Sequence, residues 1–210
     1  MGGLHLSAGD ETLWAVILGA ILATIGGFLS TTFEASMRRR EREHGAALLF
    51  GEILSVLELI VEMARASRER GNPYGSFTMR LLRAVHREAA TYERNREALY
   101  DIRDVRTRAQ IHTVMVKVML GLEGVFDATE RVEADAIISR QPGLDPTSKV
   151  EVEARLASAV FERDQAFNAL GETAEGIAPI VAVLRPLAKQ DFRVYSAVTA
   201  PDRQLLSDVV

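Results

Sequence analysis

From Thr12 to Phe33 the chain runs 22 residues, TLWAVILGAILATIGGFLSTTF, without a charged side chain. No other property of the sequence narrows the possible structures as far. As a helix rising 1.5 Å per residue the stretch would be about 33 Å long, close to the roughly 30 Å hydrocarbon core of a bilayer. A secretory signal peptide would begin with basic residues, carry a shorter apolar run and end in a cleavage site. Here Asp10 and Glu11 precede the run, and Arg38, Arg39, Arg40 and Arg42 follow it, as in a stop-transfer sequence. The stretch therefore predicts a transmembrane helix. Basic flanks remain in the cytoplasm, so the N-terminus is expected outside and the bulk of the chain inside, with Trp14 at the outer interface. The expected organisation is a short extracytoplasmic tail over 1–11, a transmembrane helix over 12–36, a cytosolic helical bundle over 37–189 and a loosely ordered tail over 190–210.

Within the apolar run, Ala15, Gly19, Ala23 and Gly27 recur every four residues. They would form one strip of small side chains, which lets a second helix approach closely enough for packing to drive association in lipid. Self-association through this strip is expected. Arg38, Arg39, Arg40 and Arg42 are expected to set the orientation and to contact anionic lipid head groups.

Beyond the arginines the pattern is helical throughout. Leu49, Ile53, Val56, Ile60 and Met63 recur at three- and four-residue spacings, which predicts one buried helical face. Gly71-Asn72-Pro73-Tyr74-Gly75 ends that helix. A second helix starts near Ser76, with Leu82, Val85, Ala89, Tyr92 and Leu99 inward and a break between Ala89 and Asp104. The third is the most regular. Ile111, Val118, Val125 and Val132 are seven apart, and Met115, Leu122, Thr129 and Ala136 follow each by four. This is the seam of a helix packed lengthwise on others, in coiled-coil fashion, and Asp104 is its expected cap. Gln141-Pro142-Gly143 ends it. Asp145-Pro146 reads as an N-cap followed by proline at the first helical position. The helix it opens carries Leu156, Val160, Phe167 and Leu170 inward and is expected to stop around Gly171 to Gly176. Ile177 to Leu187, interrupted by Pro179 and Pro186, is too short to span a bilayer and reads as a short helix on the bundle, with a segment lying in the membrane interface as the alternative. Strand signals are nearly absent. The fold class is all-α: an N-terminal transmembrane helix continuing into an antiparallel bundle of long cytosolic helices.

The residues offer little chemistry. There is no cysteine, which removes disulfides, thiolate metal sites and a cysteine nucleophile together. A carboxylate-bridged metal bundle needs Glu-x-x-His pairs from two helices. Only Glu41-x-x-His44 has that form, and it has no second copy, while His86 and His112 read as surface or boundary histidines. No phosphate-binding glycine loop, dinucleotide fingerprint or nucleophile elbow occurs. From Arg80 to Arg108 eight arginines are interleaved with five carboxylates, leaving only +3. That is a salt-bridged face rather than the coherent basic field nucleic acid requires. No catalytic, cofactor-binding or metal-binding residue is expected.

Three stretches carry a resemblance: Arg38-Arg-Arg-Glu-Arg-Glu-His44, Leu48-Leu-Phe-Gly-Glu-Ile53 and Thr91-Tyr-Glu-Arg-Asn-Arg-Glu-Ala-Leu99. They resemble a broad group of small bacterial single-span membrane proteins with an N-terminal transmembrane helix and a cytosolic helical domain. The resemblance implies topology and a bacterial inner-membrane location, and no activity. Of 25 basic residues only Lys117, Lys149 and Lys189 are lysine, a bias of GC-rich bacterial genomes. The expectation is a membrane-anchored helical interaction or scaffold protein without catalytic activity. Its partners would be the bilayer and either a second copy or another membrane or cytosolic protein, with no nucleic acid. The alternatives are a signal-transmitting membrane subunit and an enzyme with a polar site inside the bundle.

Overall fold

The computed structural model describes residues 8–192, with their side chains except those of 8–17 and 25–32. Among these residues the protein is all-helical and has no strand. In order they form α1 (Ala8–Glu69), α2 (Ser76–Arg94), a 3-10 helix (Arg96–Asp101), α3 (Val105–Ser139), α4 (Pro146–Glu175) and α5 (Ile177–Ala188). The chain divides into two compact units, one ending at Arg42 and the other beginning at Glu43. In the first, every described side chain is exposed, including the large apolar Leu18, Ile21, Leu22 and Phe33.

The second unit is a bundle whose local signals follow the sequence closely. Asp104 caps α3 by accepting from the Arg106 and Thr107 amides at 3.3 and 2.9 Å. Asp145 caps α4 through the Thr147 and Ser148 amides, both at 3.0 Å, with Pro146 in the first turn. These carboxylates occupy donors that a helix start leaves without partners. The α3 seam is fully buried from Ile111 through Met115, Val118 and Leu122 to Val125, and Thr129 is buried after it. Only its last members, Val132 and Ala136, are half-buried. Among the described residues α3 alone is long and apolar enough to cross a membrane by length and composition. Its apolar face supplies the bundle core.

Helix direction follows from paired contacts. Gly121 lies against Leu170 and Gly124 against Ala166, while Asp135 meets Arg155. Numbers fall on α4 as they rise on α3, so the two run antiparallel. A β-carbon at Gly121 would stand 3.3 Å from Leu170, and one at Gly124 would stand 3.0 Å from Ala166 Cβ. The helices approach that closely because these positions lack side chains.

Two expectations need correction. On α1 the buried face is Ala47, Phe50, Ile53, Leu54, Leu57, Val61 and Ala64; Leu49, Val56 and Ile60 are half-buried, and Met63 is exposed. Residues 46–61 are apolar on so many positions that spacing alone admits neighbouring stripes, and the packing of α2 and α4 selects one. α4 ends at Glu175 with Gly176 as its cap, within the 171–176 stretch where its stop is expected. Gly171 lies inside the helix, where Arg65 crosses it 3.3 Å from the position of a β-carbon. The bundle also extends past 189: Phe192 is buried against Gly51, where a β-carbon would overlap its ring. The remainder of the expected tail, 193–210, lies outside the described residues.

The segment from Ile177 is a short helix, α5, packed on the bundle through Ile177, Ile180, Val181, Leu184 and Ala188. Pro179 sits in its first turn, where a missing amide breaks no hydrogen bond.

Candidate functional site

Two features of the second unit stand out, one polar and one apolar. The polar one joins the end of α1, the loop after it and α4. Arg68 donates to Asp164 at 2.9 Å and to Asn168 at 2.8 Å. Its guanidinium lies 4.7 Å from the Phe167 ring centre and 5.5 Å from that of Tyr74. The Tyr74 hydroxyl donates to Asp164 at 2.6 Å, and Arg163 lies 3.8 Å from the Tyr74 ring centre. Arg65 bonds Glu62 at 3.1 Å and Glu175 at 2.9 Å. A depression of about 600 Å³ lies among Arg65, Arg68, Glu69, Phe167 and Glu175.

Burial, then the hydrogen bond to Asp164, pushes the Tyr74 phenol well above its ordinary range, so it stays protonated at neutral pH. Arg65 and Arg68 each face carboxylates, while Arg163 stacks on Tyr74 with its Nε buried and without a hydrogen-bond partner. The arrangement ties α1 to α4 across the loop. Its members come from residues 62–74 and 163–175, too far apart in sequence for any spacing to reveal them.

The histidines are separate. His112 shares a hydrogen bond of 2.9 Å with the Tyr92 hydroxyl. His86 lies edge-on to Phe126, and His44 Nδ1 donates to the Leu187 carbonyl at 3.0 Å. Among the described residues no group of three or more His, Asp or Glu side chains could hold a metal ion.

The apolar feature is the far end of α3 and α4. The end of α1 and the loop after it reach α4 at Arg163 and Asp164, through Arg68 and Tyr74. The common core ends there too: its last members are Val125 on α3 and Phe167 on α4. Beyond that level, residues 128–139 of α3 and 146–162 of α4 form a two-helix arm projecting about 20 Å. Ala128, Thr129, Val152 and Ala159 are buried between its helices. One edge of the arm is closed by Arg131–Glu162 at 2.7 Å and Arg155–Asp135 at 3.1 Å. The other continues the core seam with Val132, Ala136, Leu156 and Val160, all half-buried and none packed on the core cluster.

Of the small strip expected to associate, Gly19 and Ala23 are exposed, and nothing lies within 4 Å of a β-carbon built on Gly19. The side chains of Ala15, Trp14 and Gly27 lie outside the described set. Arg38, Arg39, Arg40 and Arg42 are exposed, and Arg38 faces Glu34 at 3.8 Å.

Fold and site together define a class: an all-helical bundle bearing a projecting helical hairpin, with an exposed apolar helical segment ahead of it in the chain. Comparison with known proteins finds no matching family model, curated protein or solved structure.

Proposed function

We propose that the chain is a membrane-anchored helical interaction protein without catalytic activity. In this reading α1 crosses the cytoplasmic membrane of a bacterium over residues 12–36, N-terminus outward, and continues into the cytosolic bundle. The observation that carries it is the uncharged run from Thr12 to Phe33. Its described large side chains, Leu18, Ile21, Leu22 and Phe33, are 50–68% exposed. Side chains of that size left in water are apolar surface that lipid would cover at a gain of roughly 25 cal/mol per Å². The exposed arginines 38–42 fit the cytoplasmic head-group layer. Ala15, Gly19, Ala23 and Gly27 supply a face for a second copy within the bilayer, and the bundle presents its surface to partners.

Membrane fractionation tests the anchor. The full chain is expected to stay in the pellet through alkaline carbonate extraction and to require detergent for release. Recovery of intact protein in the detergent-free supernatant would reject it. For the strip, Gly19→Ile with Ala23→Ile is expected to weaken in-membrane dimerisation, read by energy transfer between labelled copies in vesicles. An unchanged signal would remove those residues from the interface.

A further inference from the structure

We infer that the arm at the end of α3 and α4 is a docking surface for the same arm of a second copy. Along the body of the bundle, the inner edge of the α3–α4 pair shares one core with α1, α2 and α5. Past the loop at 70–75 these helices have ended, and no other element among the described residues joins the arm to the core. The seam nevertheless continues through Val132, Ala136, Leu156 and Val160. What is missing there is a layer two helices wide. A second arm is such a layer, and it carries the same apolar edge. Two arms related by a two-fold axis would form a four-helix arrangement, with each edge meeting its own copy.

Charge favours this occupant over a strongly charged partner. From Ala128 to Arg163 there are five basic and seven acidic residues, 5 − 7 = −2. Four of them are engaged in the ion pairs on the opposite edge. Beside the apolar edge Lys149 lies 4.0 Å from Glu153. Such a surface offers neither a basic nor an acidic field that selects an oppositely charged protein.

The area sets the strength. A face about 20 Å long and two helices wide projects on the order of 400 Å². Allowing for side-chain relief, two such faces bury roughly 1,200 Å², the low end of specific interfaces. The dimer is therefore weak and concentration-dependent. The pairing does not require the span, so its test stands apart from that of the anchor.

The test uses the full chain in mild detergent, carrying Gly19→Ile and Ala23→Ile so that the span does not contribute. Sedimentation or light scattering against concentration gives the dissociation constant. Val132→Glu with Val160→Glu is expected to raise it roughly ten-fold or more, with helix content by circular dichroism unchanged. Ala134→Glu, on an exposed position away from the edge, is expected to leave it as it was. Because the charged pair could loosen the arm itself, a second readout uses the absence of native cysteine. Ala136→Cys is expected to form a covalent dimer with a short bifunctional maleimide, and Ala134→Cys is not. Equal dimerisation of the Val132/Val160 variant, or equal cross-linking at both positions, would overturn the inference. So would a parent that stays monomeric at every concentration, or an Ala136→Cys chain that cross-links only to a different protein in cell membranes.

Discussion

Tyr74 shows how one side chain can organise a polar cluster. Its ring receives two guanidinium groups and its hydroxyl reaches Asp164. Tyr74→Phe keeps the ring and removes the hydrogen bond, while Asp164 retains Arg68. We expect a loss of about 1 kcal/mol in urea unfolding followed by circular dichroism. The helix caps contribute to the pH response, beside Glu162, whose carboxyl the Arg131 hydrogen bond also depresses. Hydrogen bonds from Thr107 hold the Asp104 carboxyl below its ordinary range, and hydrogen bonds from Ser148 do the same for Asp145. A carboxyl depressed in the folded state adds stability above its unfolded pKa of about 3.9, and that share is lost as pH falls through the folded value. Asparagine caps as well as aspartate but does not titrate. Asp104→Asn with Asp145→Asn is therefore expected to flatten the fall in stability below about pH 4, measured as unfolding midpoint against pH. An unchanged acid limb would show that the caps do not govern it.

At the scale of elements, glycine positions set how close the helices come. Gly121 and Gly124 admit α4, Gly171 admits the Arg65 side chain, and Gly51 admits Phe192. By propensity alone a glycine inside a helix is a weak point. A missing β-carbon matters through what fills its place, and that neighbour comes from another part of the chain. Gly51→Ala is expected to displace Phe192 and to destabilise the bundle by about 1–3 kcal/mol. Combined with Phe192→Ala the two changes should be markedly less than additive in thermal unfolding. Simple additivity would mean that Phe192 does not seat against α1. Element ends, by contrast, were readable beforehand. Asp104, Asp145-Pro146 and the Gly71–Gly75 turn act through neighbours a few residues away, and the helices start or stop where those residues stand.

At the scale of the whole molecule, the two units answer to different solvents in the proposed reading. The first carries exposed large apolar side chains, while the second buries a continuous core from Ala46 to Phe192. The proposed function joins them as anchor and interaction module, and the arm extends the module by a surface that a single copy leaves half covered. Neither the Arg68–Tyr74–Asp164 cluster nor the arm was visible in the sequence. The cluster joins segments about a hundred residues apart. The arm exists because α1 and α2 end before α3 and α4 do, a comparison that only a register between helices allows.

What the residues determined unaided was local: all-helical composition, caps, turns, and the α3 seam, whose period of seven is written into consecutive turns of one helix. What only the tertiary structure decided was relational: which of several apolar stripes on α1 faces inward, what crosses α4 at Gly171, what seats Phe192, and how far the seam runs uncovered. Local preferences are set by neighbours within a turn or two of backbone. Choices among equally apolar faces are set by the shape of whatever packs against them.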